Sequence, residues 1–404
     1  MRSRETLLQS ALSKTTLSNV NLSHIRPPLS GFAIALIASL SSIAFQLQAT
    51  SQQQSAILGS SQQSENKSIN EDASNLLEIS PELSIEIASY KKAEVNKRLP
   101  LKYPRGALRQ GLEGFVRFSF AVAKNGEVKD VEVIDSSGMR EFEQEGLVAL
   151  KRWEYHPATL NGMPVESSNY TVQLDFILDN KKVGIRKRFK MRLDAANESL
   201  RGNDLIETKR LIDELDDRKQ YNNMEVFLFA MLEADYAKIS NNLLMEEHAF
   251  AAVYHHLMRE SSDEKYRSYA IQRMFILLVD AKRYVAAKRV YEKALKTSKD
   301  DLLLSKIKGV VDQIDTLIDA GKPIKRKGVI RGRQLWNHGL VYNQFSIVDV
   351  SGDIDELQIR CDLKVTVYDF KPNNTWSIPA NWGKCSVLLD GEKGTTLSLI
   401  ETNI

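Results

Sequence analysis

The chain has 404 residues, 43% of them hydrophobic, with 55 basic and 52 acidic side chains and a formal charge of +3. At about 150 residues per domain, two to four domains are expected, each with enough apolar mass for a core. The near-neutral balance excludes the strong basic field of a nucleic-acid-binding protein, so no nucleic acid is expected as a partner.

The amino-terminal segment carries Arg2, Arg4, Lys14 and Arg26, then a charge-free run from Gly31 to Phe45, then Leu47-Gln48-Ala49. Basic residues ahead of an apolar run read as an export signal, so residues 1–49 are a cleaved signal peptide or a membrane anchor. The apolar run is about 15 residues, short against the roughly 20 that span a bilayer. Either outcome exports residues 50 onward. Residues 50–89 are rich in Gln, Ser and Asn, with Pro81 the one proline, and read as a flexible linker. That linker is acidic at Glu65, Glu71, Asp72, Glu78, Glu82 and Glu86. It meets a basic stretch at Lys91, Lys92, Lys97, Arg98, Lys102, Arg105 and Arg109.

From Gly114 to Asp135 apolar and polar residues alternate with period two through Val116, Phe118, Phe120 and Val122, then Val128, Val131 and Val133. Asn125-Gly126 lies between the two runs. That dipeptide accepts the positive backbone dihedrals of a tight hairpin turn, so two antiparallel strands are expected. From Met139 to Trp153, Phe142, Leu147, Leu150 and Trp153 recur at helical spacing after a Ser136-Ser137-Gly138 turn. After Asn161-Gly162, Val165 to Leu178 carries Tyr170, Val172, Leu174 and Phe176 on one face of a third strand. The sum is a small two-layer β-β-α-β domain over residues 90–180.

These residues, with Tyr103-Pro104 at the start, Gly111-Leu112-Glu113-Gly114 next and Trp153, Tyr155, Pro157 and Ala158 after the helix, resemble the TonB carboxy-terminal domain family. The resemblance implies a periplasmic module that grips an outer-membrane TonB-dependent receptor. The strand after the helix, here Asn169 to Leu178, would pair with a short extended segment of that receptor. On that basis the partner-binding residues are Tyr103, Pro104, Asn169, Tyr170, Thr171, Val172, Gln173 and Leu174, with Tyr103-Pro104 flanking the docked peptide. Main-chain hydrogen bonds would supply affinity and alternate side chains specificity; a plain packing role for Val172, Leu174 and Phe176 on the helix competes with this. A proline at Val172 should weaken capture if that amide faces outward. The resemblance also implies inner-membrane motor proteins as partners. However, the family's membrane helix carries a serine and a histidine one turn apart, whereas the apolar run here has no histidine and His24 lies before it. The linker likewise lacks the family's proline-rich stiffness.

From Ile185 to Gly321 the period becomes helical, with breaks at Gly202-Asn203, Asn222-Asn223, Ser261-Ser262 and Lys299-Asp300. Arg283-Tyr284 through Leu295 resembles half of a tetratricopeptide repeat. An all-α, repeat-like domain over 185–321 is expected, with a protein ligand as its possible cargo. After Pro323 and a basic patch at Lys322, Lys325, Arg326 and Lys327, strand signals return at Phe345 to Val350, Leu357 to Tyr368 and Cys385 to Leu389. Residues 328–404 thus read as a small all-β domain, and Cys361 and Cys385, an even pair in an exported chain, as its disulfide. The fold class is multidomain α+β.

No phosphate loop, metalloprotease helix or serine elbow is present, so no catalytic residue, cofactor or metal is expected. His248, His255 and His256 sit at helical spacing and read as packing or surface histidines; Asp213, Glu214, Asp216 and Asp217 read as a solvated helix end. Two functions compete: a TonB-like receptor-binding protein, with or without energy coupling, and a periplasmic interaction scaffold.

Overall fold

The computed structural model describes residues 89–178, 184–216, 221–260, 263–331 and 335–403, all within one compact unit, Ala88–Ile404. The expected export segment and most of the linker lie outside these residues. Among the described residues no helix is long and apolar enough to cross a membrane.

The first region opens with short strands β1 (Tyr90–Lys91) and β2 (Glu94–Lys97) and the helix α1 (Arg105–Gln110). The expected hairpin follows as β3 (Gly114–Val122) and β4 (Val128–Ser136). Its turn needs a glycine for two reasons: Gly126 has φ 87°, and a Cβ there would sit 2.0 Å from the Tyr155 carbonyl oxygen. Helix α2 (Arg140–Leu150) is followed by β5 (Glu154–His156), β6 (Ala158–Leu160), β7 (Met163–Val165) and the long strand β8 (Ser167–Phe176). The main sheet runs β4-β3-β8, all antiparallel, so β8 is an edge. The short strands were not anticipated: β1-β6-β7 and β2-β5 form two small side sheets.

Alternation along β3 puts Val116, Phe118, Phe120 and Val122 on one face, where they meet Phe142 and Leu150 of α2 and Leu174 and Phe176 of β8. Phe142 and Phe176 stack with ring centroids 4.4 Å apart. Close approach of helix to sheet depends on Gly146, where a Cβ would lie 2.9 Å from the Phe118 ring.

The second region is helical: α3 (Lys187–Arg201), α4 (Leu205–Asp216), α5 (Asn223–Ile239), α6 (Leu243–Glu260), α7 (Glu264–Asp280), α8 (Tyr284–Thr297) and α9 (Asp301–Asp319). Helix starts follow their caps. Asn222 and Glu225 form a capping box on α5, and Asp263 and Asp300 cap α7 and α9. The buried Glu225 carboxylate is neutralised by Arg186, whose Nε donates to it at 3.0 Å. One apolar cluster runs from Phe189 through Phe250 and Leu278 to Val311.

The third region holds β9 (Ile324–Val329), β10 (Trp336–Gly339), β11 (Gln344–Ser351), β12 (Ile354–Cys361), β13 (Lys364–Asp369), β14 (Thr375–Ser377), β15 (Cys385–Gly391) and β16 (Thr396–Thr402). They make two four-stranded sheets, β10-β15-β12-β13 and β14-β11-β16-β9, around Phe345, Ile347, Leu357, Ile359, Val387, Leu389, Leu397 and Leu399. The strand signal over Leu357 to Tyr368 resolves into a hairpin, β12 and β13, turning at Asp362-Leu363. Cys361 and Cys385 are cross-strand partners and form a disulfide with an S–S distance of 2.01 Å. The expected basic patch is corrected at Arg326. Its side chain is buried, and its Nη1 donates to His338 Nδ1 at 2.7 Å.

Candidate partner-binding edge

The direction of each main-chain group on β8 follows from β3. Phe115 turns its carbonyl to Ser137 N–H at 2.9 Å and its own N–H to Ser137 Oγ at 3.2 Å, so both its groups point toward the β4 side. Because direction alternates along a strand, Val116 and Phe118 point toward β8, and their partners Leu174 and Val172 point back at them. Thr171, Gln173 and Asp175 therefore present their amides and carbonyls outward. Among the described residues none of these three has a second strand or a backbone partner on that side. The expectation for Val172 is corrected in one respect: its amide serves the native ladder with Phe118 rather than the free margin.

The start of the margin is already engaged. Asn169 adopts φ 63°, and the register slips there between Phe120 and Val122, as in a bulge that turns Ser168 outward. Ser168 N–H then donates to the Asp362 carbonyl at 3.0 Å and its hydroxyl to the Cys361 carbonyl. Asn169 Nδ2 donates to the Lys384 carbonyl at 3.1 Å, and Ser386 Oγ donates to Asn169 Oδ1 at 2.8 Å. The disulfide lies directly behind these carbonyls. At the other end Asp175 is paired with Arg259 of α6 at 3.5 Å, and Leu178 N–H donates to Glu113 Oε1 at 2.8 Å. Between these contacts the outward main-chain groups of Thr171, Gln173 and Asp175 remain, since the pair with Arg259 engages only the Asp175 side chain.

Of the expected binding side chains, Leu174 is buried, Val172 and Tyr170 are half-buried and Thr171 is exposed. Tyr170 stacks on Phe120 at 5.6 Å and its hydroxyl accepts from Ala93 N–H at 2.9 Å. Gln173 lies on the outer face and accepts from Arg117 at 3.0 Å. Tyr103 and Pro104 are placed away from this margin's free groups. The Tyr103 ring packs edge-on against Phe142 and Phe176, its hydroxyl donates to the Leu112 carbonyl, and burial raises its pKa; Pro104 is buried at the start of α1.

The outer face of the sheet is covered, a feature that residue patterning did not signal. Arg360 of β12, 1% exposed, donates to the Asp130 carbonyl at 2.6 Å and to Ser119 Oγ at 3.4 Å, and Gln358 donates to Glu132. Arg117 donates to His255 Nε2 of α6 at 2.5 Å, while burial, with Arg117 beside it, pushes the imidazole down to about 2. His255 is thus a neutral packing group, and His256 stacks on Phe227 at 4.2 Å. Among the described residues no cluster of three or more potential metal ligands is present. Asp213 pairs with Lys209 and Glu214 with Arg192 on exposed helix faces.

Residues 100–178 match the profile of the family described as Gram-negative bacterial TonB protein C-terminal. This segment is a TonB carboxy-terminal domain. Protein TonB of Vibrio cholerae is 33% identical over 75 residues, covering 19% of this chain and 31% of that protein. Protein tonB2 of Pseudomonas aeruginosa is 35% identical over 78 residues, covering 19% and 28%. The chain thus spans about a third or less of these relatives. The solution structure of the P. aeruginosa TonB domain is 25% identical, with a TM-score of 0.21, and covers 22% of this chain and 91% of that one. A TonB2 protein structure from Vibrio anguillarum is 28% identical, with a TM-score of 0.19, covering 30% and 99%. In this chain the TonB domain is followed by more than two hundred further residues, which pack against its sheet.

Proposed function

We propose that the protein docks an extended segment of an outer-membrane receptor on the margin of β8, in the periplasm of a Gram-negative bacterium. The carrying observation is the outward, strand-free set of main-chain groups at Thr171, Gln173 and Asp175 in a TonB domain. Unpaired amides and carbonyls on an edge strand are the template that strand addition uses. Residues Tyr170, Val172 and Leu174 set the floor beneath the docked segment, and Tyr103 and Pro104 hold that floor in place. Transfer of inner-membrane energy is a further part of this reading, and it requires residues 1–49 to remain as an anchor; an intact amino terminus in the inner-membrane fraction supports it.

The test is capture of receptor from outer-membrane extract by the full-length protein. Thr171→Pro removes an outward donor at an edge position where proline is tolerated, and is expected to reduce capture at least about tenfold. Thr171→Ala keeps the donor and is expected to capture normally. Undiminished capture by folded Thr171→Pro contradicts this mode.

A further inference from the structure

We propose that the cavity where the three regions meet binds a small organic cation with an apolar body, at a site separate from the β8 margin. The cavity has a volume of about 370 Å³, within the range of small-molecule sites, which gather at the junctions of packed regions. Its space has a cause in the sequence. Alternation puts Phe115, Arg117 and Ser119 on the outer face of β3, where Arg117 is met by His255 and Ser119 by Arg360. Phe115, the apolar member, stays half-buried, joins none of the apolar cores and lines the cavity instead. From α5 and α6 the walls are Ala230, Ala249 and Ala252, side chains too short to fill the gap.

The lining is charged as well as apolar. Four carboxylates, Glu113, Asp135, Asp216 and Glu233, line the cavity against the two side-chain cations Arg331 and Lys393 and the imidazole of His248. Arg117, outside the lining, pairs with Asp135 at 3.4 Å; with that cation counted, the carboxylates still lead by one when the imidazole is neutral. Arg331 spends one guanidinium nitrogen on the Leu244 carbonyl. The Glu113 charge is held by main-chain donors, its two oxygens accepting the N–H groups of Leu178 and Asn223. Concave, low-dielectric walls with one prevailing sign of charge focus their field on the space they enclose. The ring faces of Phe115 and Phe229 attract a cation as well. An ammonium group on an aromatic or aliphatic body meets both demands, and a carboxylate on the same body meets neither.

Tryptamine, tryptophol and indole-3-propionate test this, since they share one apolar body and differ in carrying an ammonium, a hydroxyl or a carboxylate. They are titrated calorimetrically into the full-length protein at about pH 8, where an ordinary histidine is neutral. Tryptamine is expected to bind about tenfold tighter than tryptophol, the worth of one charged contact, and indole-3-propionate weakest. Glu233→Gln should weaken tryptamine by about tenfold and leave tryptophol unchanged. Ala252→Phe, which fills the space, should abolish binding of both; if that variant fails to fold, the Glu233→Gln comparison carries the test. Tryptamine binding no tighter than either analogue, or unchanged in Glu233→Gln, overturns the cation assignment. Binding of none of the three, or full binding by folded Ala252→Phe, overturns the site.

Discussion

At the residue scale, deeply buried ionisable groups tie the two sheets of the third region together, β10 to β9 and β16. His338 is one of them. Arg326 donates to its Nδ1, so the ring carries its proton on Nε2 and donates to Glu401 at 2.7 Å. Glu401 also accepts the backbone N–H groups of Val341 and Tyr342 at 2.6 and 3.1 Å. Burial pushes the imidazole down to about 4, against the pull of Glu401. A histidine held neutral in the fold but free to protonate when unfolded stabilises fully above pH about 6.5 and loses that contribution as pH falls to about 4. The shift corresponds to a loss on the order of 3 kcal/mol across that window, to which the similarly depressed His255 adds in the same direction. Denaturant unfolding at pH 7 and pH 5 checks this: stability should fall, and the fall should be smaller in His338→Gln. An identical slope in the variant contradicts the assignment.

The element scale shows why part of the domain was legible. Period-two alternation around Asn125-Gly126 marks a hairpin because the pattern and the turn chemistry agree, and β3 and β4 lie where that pattern places them. Alternation reports which face a side chain takes, but the phase of the hydrogen-bond ladder depends on the neighbouring strand. Hence Val172 could be assigned to a face while its amide direction could not. The β12–β13 hairpin went unseen because Asp362-Leu363 is not a strong turn dipeptide, and its strands ran together into one apolar stretch. The same scale carries a packing prediction at Gly146. Leucine there improves helix propensity by about 1 kcal/mol, yet must displace the fully buried Phe118 ring, so Gly146→Leu should destabilise by about 1 to 3 kcal/mol net in thermal or denaturant unfolding. A neutral or stabilising result would mean the helix can lift off the sheet.

At the scale of the whole molecule, the outer face of the TonB sheet is shared between α6 and β12, and its free margin is trimmed by carbonyls near the disulfide. None of this was readable in sequence, since Ser168 and Asp362 lie far apart along the chain and polar residues such as Arg360 read as surface until a second sheet covers them. The basic run at Lys325-Arg326-Lys327 misled for the same reason: alternation sends Arg326 inward and its neighbours out. The cysteine pair was legible because composition alone limits two cysteines to one bridge.

On the proposed reading, Thr171, Gln173 and Asp175 hold a ladder open for another chain. Residue-resolved amide hydrogen exchange, with and without a periplasmic receptor segment, tests it most directly. Fast exchange is expected at those three positions in the free protein, protection on binding, and slow exchange at Val172 and Leu174 in both states. Protection of the three in the free protein, or no change on binding, contradicts it.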